Sequence, residues 1–382
     1  MRKHKINFDK GSEWALLESI CITGNKVVCD PSTEAIVRNR KINWGEVIEQ
    51  SMLHKMLPTL AERMVSQFYT SSVHIKYDCM PNFIGGYFRQ ALLTNIQKIK
   101  VFRKAMLPIL EAFKNRNIPI VSTKGFVFEN TLHGANGSRN FNTDVDFMIL
   151  PKNMNDAEEI MKDLGIAQGY YDYNTNSILP HSRKDILTYK MSPDHLAPFC
   201  VITGDPIIKF VYVDFASSFT WINSPYEISI KDALAKKEKI EIDHEDFKII
   251  VPKFDLAYEF IFTILHLFRE AWIERWVNIQ QDVNLMKFFD VIQLYYSNED
   301  YFSSDLFRDL LDKYDINRPV YWVLEHMDRT FSTDAVKRMK LQKYSDEDFL
   351  FSANGNLSGP KEWYGSMRDR LHTKDRTSCF KK

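Results

Sequence analysis

The strongest chemical signal in the sequence is a pair of aspartates one residue apart, Asp144 and Asp146, in the segment DVDFMIL. The segment has the pattern of a β-strand, and alternation along a strand puts both carboxylates on one face, about 6.6 Å apart at ~3.3 Å per residue. The two carboxylates repel each other unless a cation lies between them, and Mg²⁺ prefers oxygen ligands such as carboxylates. The alternative is an exposed acidic strand face. The apolar residues that follow mark the strand as largely buried, where unpaired carboxylates are costly, and this strengthens the case for a metal site.

A third acid, Asp214, ends another apolar and β-branched segment, Ile207 to Phe215. If both strands belong to one sheet, three carboxylates would lie on neighbouring strands. Such a set could hold two metal ions for in-line phosphoryl or nucleotidyl transfer. The expected metal is Mg²⁺ or Mn²⁺, and the expected co-substrate is ATP or another nucleoside triphosphate.

Two further features point to a phosphate ligand. Lys124 and Gly125 follow a short buried strand and precede a helical segment, where glycine lets a triphosphate approach the backbone and lysine supplies charge. Arg139, five residues before Asp144, has the planar fork that binds phosphate. The alternatives are a simple turn at the strand exit for Lys124-Gly125 and a solvated loop arginine for Arg139.

The elements that must position these residues predict an α+β fold, with a small mixed-sheet core flanked by helical regions. Apolar residues step at three and four positions from Ile96 to Phe113, which predicts a helix with a kink or break at Pro108. We expect an N-terminal helical region at 1–115, an α/β core at 116–230, a C-terminal helical domain at 231–345 and a loosely attached polar tail at 346–382.

Composition restricts the function classes. The 382 residues contain 50 Lys plus Arg and 50 Asp plus Glu, so the formal net charge is zero, which excludes a strongly basic nucleic-acid binder. Five cysteines form no CxxC pair, and no apolar run approaches the ~20 residues that span a bilayer. We therefore expect a cytoplasmic protein with no membrane partner.

Taken in order, these segments resemble the DNA polymerase beta-like nucleotidyltransferase superfamily. Within it the chain is most similar to the uncharacterised bacterial nucleotidyltransferase family. The match is carried by IPIVSTKGFVFENTL, SRNFNTDVDFMIL and VYVDF, and it extends over about residues 40–300. Flanking helical segments with His54, His266 and Asp290 are also similar to the family's helices.

This resemblance implies a transferase that moves a nucleoside monophosphate, most simply AMP from ATP, to a hydroxyl or phosphate group and releases pyrophosphate. Asp144, Asp146 and Asp214 would be the catalytic metal ligands, and Lys124, Gly125 and Arg139 would bind the nucleotide. The neutral net charge favours a small-molecule or peptide acceptor, although it does not exclude nucleic acid. The alternatives are a non-catalytic partner protein with a nucleotide fold and a toxin-type transferase that acts on tRNA or protein.

The acceptor is expected to meet residues outside the catalytic strands. A tyrosine-rich insert at about 168–200 supplies Arg183 and His195 as candidate substrate contacts. His266 is a third candidate, with a packed core histidine as its alternative interpretation. We expect the insert and the helices from Phe254 to Tyr296 to determine acceptor choice, because loops on a rigid scaffold are where recognition varies.

Overall fold

The protein is described by a computed structural model that covers residues 12–23, 31–38, 42–68, 80–191, 194–221, 223–355 and 359–380. The chain divides into two compact units. We call residues 93–259 the sheet unit, and residues 1–92 with 260–382 the helical unit. Cys29 and Cys79 lie outside the described residues, whereas Cys21, Cys200 and Cys379 are buried free thiols.

The N-terminal part of the chain is helical, as its apolar spacing predicts. Its helices are α1 (Ser12–Thr23), α2 (Pro31–Arg38), α3 (Trp44–Leu53), α4 (Leu57–Phe68) and α5 (Asn82–Asn115). Helix α5 runs through Pro108, so of the two expectations there the break is wrong and the kink stays a prediction. Ile99, Phe102 and Met106 are buried along one stripe of α5, and this packing outweighs the hydrogen bond that proline removes.

The sheet unit continues with alternating strands and helices. They are β1 (Ile120–Ser122), α6 (Gly125–Thr131), β2 (Asp144–Ile149), a 3₁₀ turn (Pro151–Asn153), α7 (Met154–Asp163), β3 (Ala167–Asp172), β4 (Ser177–Pro180), α8 (Arg183–Met191), β5 (Phe199–Ile202), β6 (Phe210–Ala216), α9 (Ile230–Ala235), β7 (Glu238–Asp243) and β8 (Lys248–Lys253).

All of these strands join one mixed sheet of order β4-β3-β5-β6-β2-β1-β8-β7. Strand β2 is parallel to β6 and antiparallel to β1, and β1 is parallel to β8. With eight strands the sheet is larger than the small core that the sequence predicts. The β7–β8 hairpin extends it beyond residue 230, and β3, β4 and β5 make the tyrosine-rich insert part of the sheet rather than a free loop.

An aromatic core anchors the two strands that carry the aspartates. Phe147 on β2 stacks on Phe215 on β6 with ring centroids 5.7 Å apart, and Phe113 of α5 stacks on Phe215 at 5.3 Å. All three rings are buried. Since side chains alternate along a strand, packing of these phenylalanines on one face directs Asp146 and Asp214 to the other.

The helical unit contains the C-terminal part of the chain. Its elements are α10 (Leu256–Trp272, which begins in the sheet unit), α11 (Glu274–Asn278), α12 (Leu285–Ser297), α13 (Glu299–Phe302), α14 (Asp305–Lys313), α15 (Asn317–Phe331), α16 (Ala335–Arg338), a 3₁₀ turn (Gln342–Tyr344), α17 (Glu347–Leu350), β9 (Ser352–Gly355), β10 (Gly359–Glu362), α18 (Met367–His372) and a 3₁₀ turn (Arg376–Cys379). Among the described helices, none is long and apolar enough to cross a membrane.

The described C-terminal residues 359–380 are not loosely attached, contrary to the expectation from the polar composition of this segment. Arg370 of α18 is completely buried and donates to Asp282 at 2.9 Å and to the Ala271 carbonyl at 2.6 Å. Arg376 donates to the other Asp282 oxygen at 2.7 Å. Arg370 and Arg376 are buried because both pair with Asp282, which lies about ninety positions earlier in the chain. The local composition does not reveal such a distant partner.

Candidate metal and nucleotide site

Three aspartate carboxylates converge on one face of the sheet. In the parallel β2–β6 register Asp146 lies opposite Asp214, and Asp144 lies opposite Tyr212. One oxygen from each of Asp144, Asp146 and Asp214 lies within 4.8 Å of the other two. The chain therefore brings together the three acids that the sequence singles out, at a spacing that suits shared cations.

The electrostatics of Asp214 favour a positively charged ligand beside it. Its Oδ1 atom is buried and has no hydrogen-bond partner among the described residues. Burial, followed by the negative charges of Asp146 and Asp144, raises the pKa of Asp214 to about 8, and the Lys124 charge only partly opposes this. A buried carboxylate oxygen without a partner is costly, and a hard divalent cation would supply that partner. The donor set fits Mg²⁺ or Mn²⁺.

Lys124 is the cation beside these carboxylates, with Nζ 3.0 Å from Asp146 Oδ2. The backbone places it there, because the Thr123 N–H donates to the Asp146 carbonyl at 3.1 Å and continues the β1–β2 ladder to the residue before Lys124. Lys124 itself has φ 55° and ψ −134°, a conformation that non-glycine residues rarely adopt. Such strain is typical of functional positions, since the surrounding structure must hold it in place.

Gly125 begins α6, and Arg139 lies against it. A Cβ built on Gly125 would lie 3.8 Å from Arg139 Cζ and 3.6 Å from the Asn140 carbonyl oxygen, which are ordinary contact distances. The fold itself therefore tolerates a side chain at position 125. The space that glycine leaves beside Lys124 and Arg139 is consistent with the close approach of a ligand.

The insert places its two candidate substrate residues differently. Arg183 is exposed at the first position of α8. His195 forms an isolated bridge with Ala216, two residues beyond Asp214, and its Nδ1 lies 3.3 Å from Asp194 Oδ2. His195 also lines a cavity of about 300 Å³ within the sheet unit, together with Met154, Asn155, Glu158, Gln168, Ile186, Tyr189, Leu196 and Ala197. Their assignment to the acceptor stays a prediction.

The tyrosines of the insert have two environments. Tyr171 is buried and stacks on Phe210 with ring centroids 4.9 Å apart, so it belongs to the core. Tyr170 and Tyr173 are 51% and 69% exposed. Tyr170 makes a T-shaped contact with His181, and Tyr173 makes T-shaped contacts with Tyr171 and Phe210.

His266 belongs to the helical unit. Its Nδ1 lies 3.4 Å from Glu270 Oε2, and Lys287 Nζ lies 2.5 Å from the same oxygen. This ion-pair cluster gives His266 a structural partner, and a role of His266 in substrate binding stays a prediction.

Two buried polar residues beside Arg139 were not singled out from the sequence. Asn95 on α5 and Glu129 on α6 are only 4% and 1% exposed, and both bind the loop that carries Arg139. A signal for Asn95 was present, because it falls four residues before Ile99 on the apolar stripe of α5. A polar residue on a buried stripe indicates a hydrogen-bonding role.

A family model described as "Uncharacterised nucleotidyltransferase" matches residues 40–332, which is most of the chain. The resemblance expected over about 40–300 is thereby confirmed. The comparison with curated proteins and the comparison with solved structures each gave no match.

Proposed function

The chain belongs to this family of uncharacterised nucleotidyltransferases, and from that premise we propose a metal-dependent enzyme that transfers a nucleoside monophosphate, most simply AMP from ATP, to a small molecule or peptide. The observation that carries the proposal is the convergence of Asp144, Asp146 and Asp214 within 4.8 Å of one another. The Oδ1 of Asp214, which has no hydrogen-bond partner in the described part of the chain, supports a cation among these three carboxylates.

Each residue of the site has an assigned role. Asp144 and Asp146 would hold both metal ions, and Asp214 would hold the one nearer the acceptor. Bound Mg²⁺ would neutralise charge on the phosphates and lower the pKa of the acceptor group. Lys124 and Arg139 would bind triphosphate oxygens, and Gly125 would leave room for them.

The transfer step is an in-line substitution at the α-phosphorus. The acceptor oxygen forms a bond to that phosphorus while the bond from it to the oxygen bridging to the β-phosphate breaks. Pyrophosphate leaves with the bonding electron pair. When the acceptor is a hydroxyl, its proton passes to a carboxylate, and we assign this role to Asp214, the acid that would lie at the metal nearer the acceptor.

The choice of a small-molecule or peptide acceptor rests on charge. The zero formal net charge gives no general attraction to a polyanion such as tRNA. The exposed rings of Tyr170 and Tyr173 offer stacking surfaces that suit a compact ligand.

Calorimetry with Mg²⁺ and each of the four common nucleoside triphosphates tests the nucleotide half of the proposal. We expect ATP to bind the wild-type chain, and we expect chelation by EDTA or the double change Asp144→Ala/Asp146→Ala to abolish binding. Equal binding by the wild type and the double variant would contradict a metal-mediated site.

Label transfer from α-³²P-ATP tests the acceptor half. The chain would be incubated in parallel with a small-molecule extract, a peptide pool and total tRNA. We expect label in one of the first two pools together with release of pyrophosphate, and label in tRNA alone would overturn the acceptor assignment.

A further inference from the structure

The segment that carries Arg139 has no regular secondary structure, yet most of its backbone polar groups are paired. We call residues 137–141 the Arg139 loop; it lies within the connection from α6 to the aspartate strand β2. Buried backbone groups outside helices and sheets must find other partners, because an unpaired buried N–H or C=O is costly. Here two side chains from different helices supply five of these partners.

Glu129 on α6 binds the loop from one side. Its Oε1 accepts the Gly137 N–H at 2.6 Å, and its Oε2 accepts the Arg139 N–H at 2.8 Å. Both carboxylate oxygens are used, so the side chain fixes two alternate residues at once. Burial raises the pKa of Glu129 to about 7, while these two N–H groups and the charges of Arg103 and Arg139 lower it.

Asn95 on α5 binds the same loop from the other side. Its Nδ2 donates to the carbonyl oxygens of Gly137 and Arg139, each at 2.8 Å, and its Oδ1 accepts the Phe141 N–H at 3.3 Å. Arg139 therefore has its N–H held by Glu129 and its C=O held by Asn95. Two side chains together bind five backbone groups of a five-residue loop.

The consequence is a defined direction for the Arg139 side chain. Its guanidinium carbon lies 3.8 Å from where a Cβ of Gly125 would be, and Arg139 Nη1 donates to the Asn140 carbonyl at 3.0 Å. Arg139 is only 9% exposed, so its backbone and side chain are both fixed beside the Lys124-Gly125 turn.

We propose that Glu129 and Asn95 are positioning residues that hold Arg139 against Gly125, so that its guanidinium is already oriented for a bound triphosphate. The inference rests on the proposed function, because it requires a nucleotide at Lys124 and Gly125. Preorganisation of this kind improves affinity by removing the cost of ordering a flexible arginine on binding. Neither Glu129 nor Asn95 touches the reacting atoms in this assignment.

The test is a double-mutant cycle between Glu129→Gln and Arg139→Ala. Glutamine keeps the volume of glutamate but turns one acceptor into a donor that faces a backbone N–H. We expect each single variant to weaken Mg·ATP binding about tenfold, the loss typical of one charge-assisted contact, and the double variant to bind no worse than Arg139→Ala alone. Binding of Mn²⁺ alone should be unchanged in all three, which separates misplacement of Arg139 from general damage to the site.

Glu159→Gln is the matched control, since it makes the same chemical change at an exposed glutamate of the sheet unit. If Glu129→Gln does not fold, Asn95→Asp replaces it, because a carboxylate at position 95 would face the same two carbonyl oxygens. Hydrogen–deuterium exchange of a peptide that spans the Arg139 loop gives a second measurement, and we expect at least about tenfold faster exchange in Glu129→Gln than in the wild type.

The outcomes are distinguishable. Wild-type protein that binds no Mg·ATP would overturn the proposed function and this inference with it. If the wild type binds Mg·ATP, two results would overturn only the positioning role. One is an unchanged Mg·ATP affinity in Glu129→Gln, and the other is a double variant whose loss of affinity is the product of the two single losses.

Discussion

Asp146 and Asp214 lie directly opposite each other on the parallel strands β2 and β6, with both side chains on the same face of the sheet. Strands in one ladder are only about 4.8 Å apart, so the register alone forces two carboxylates together. Asp144 adds a third negative charge, and Lys124 supplies the positive charge at 3.0 Å from Asp146. The fold thus maintains a repulsive cluster that a divalent cation would stabilise.

The substitution Asp214→Asn should stabilise the metal-free protein and reduce its response to metal. A carboxyl whose folded pKa is raised contributes stability at low pH that is lost as pH rises through the folded value, here about 8 from the ordinary 3.8. In EDTA, the melting temperature of Asp214→Asn should therefore exceed that of the wild type by more at pH 9 than at pH 5. Thermal unfolding with and without Mn²⁺ measures both effects, and an equal Mn²⁺-induced shift in wild type and variant would refute the metal role of Asp214.

The substitution Gly125→Ala should leave the fold intact and weaken nucleotide binding. The new methyl would meet Arg139 and Asn140 at 3.6 to 3.9 Å, which is ordinary contact, so the melting temperature should stay within a few degrees. It would occupy the space that we assign to the triphosphate, so we expect roughly tenfold weaker binding of Mg·ATP by calorimetry. Gly86→Ala is the control, because a Cβ there meets no atom within 4 Å. A stable variant with wild-type affinity would show that the ligand does not approach Gly125.

Replacement of Arg370 by methionine should destabilise the helical unit strongly. Arg370 and Asp282 are both fully buried. Without Arg370, Arg376 still binds one Asp282 oxygen, but the other oxygen and the Ala271 carbonyl lose the Arg370 donor, at a cost of about 2–5 kcal/mol. The matched control is Lys374→Met, which breaks the exposed Lys374–Glu49 pair and should cost less than about 1 kcal/mol. Urea unfolding followed by tryptophan fluorescence measures both, and equal effects would mean that the C-terminal segment is loosely attached after all.

The substitution His54→Asn should reduce the sensitivity of the helical unit to acid. Burial, followed by the charges of Arg376 and His372, lowers the pKa of His54 to about 3, whereas the Leu371 backbone and Asp282 raise it. Between pH 6.5 and about 3, His54 is protonated in the unfolded chain but stays neutral in the folded chain. The free energy of unfolding therefore falls by about 1.4 kcal/mol for each unit by which the pH is lowered in this range.

Asparagine at position 54 can still accept the Leu285 N–H, which His54 Nδ1 accepts at 3.2 Å. The difference in unfolding free energy between pH 7 and pH 5 should therefore shrink in His54→Asn. The same difference in variant and wild type would show that His54 is not the buried group that resists protonation.

Exchange of residues 168–200 for the segment of a relative should change the acceptor and leave ATP affinity nearly unchanged. The metal ligands and Lys124 lie outside this segment, so the chemistry of nucleotide binding would be retained. The replacement segment must itself form strands equivalent to β3 and β5, because β5 pairs with β6 and β3 pairs with β5. Calorimetry with ATP and label transfer into acceptor pools measure the two properties. A chimera that kept its acceptor and lost ATP binding would place the insert in the nucleotide site.

The sequence alone determined the local part of the site. Alternation places Asp144 and Asp146 on one face of any strand, and the order of strand, Lys124-Gly125 and helix follows from local pattern. The structure has each of these elements at the predicted place. They were predictable because the forces involved, side-chain periodicity and turn preference, act over a few residues.

Only the tertiary structure decided which distant groups meet. The pairing of Asp146 with Asp214, the binding of the Arg139 loop by Glu129 and Asn95, and the burial of Arg370 on Asp282 join positions from 8 to 88 residues apart. The eight-strand sheet likewise depended on the β7–β8 hairpin pairing with β1. No local pattern encodes such contacts, because strand register and buried hydrogen bonds are selected by the packing of the whole unit.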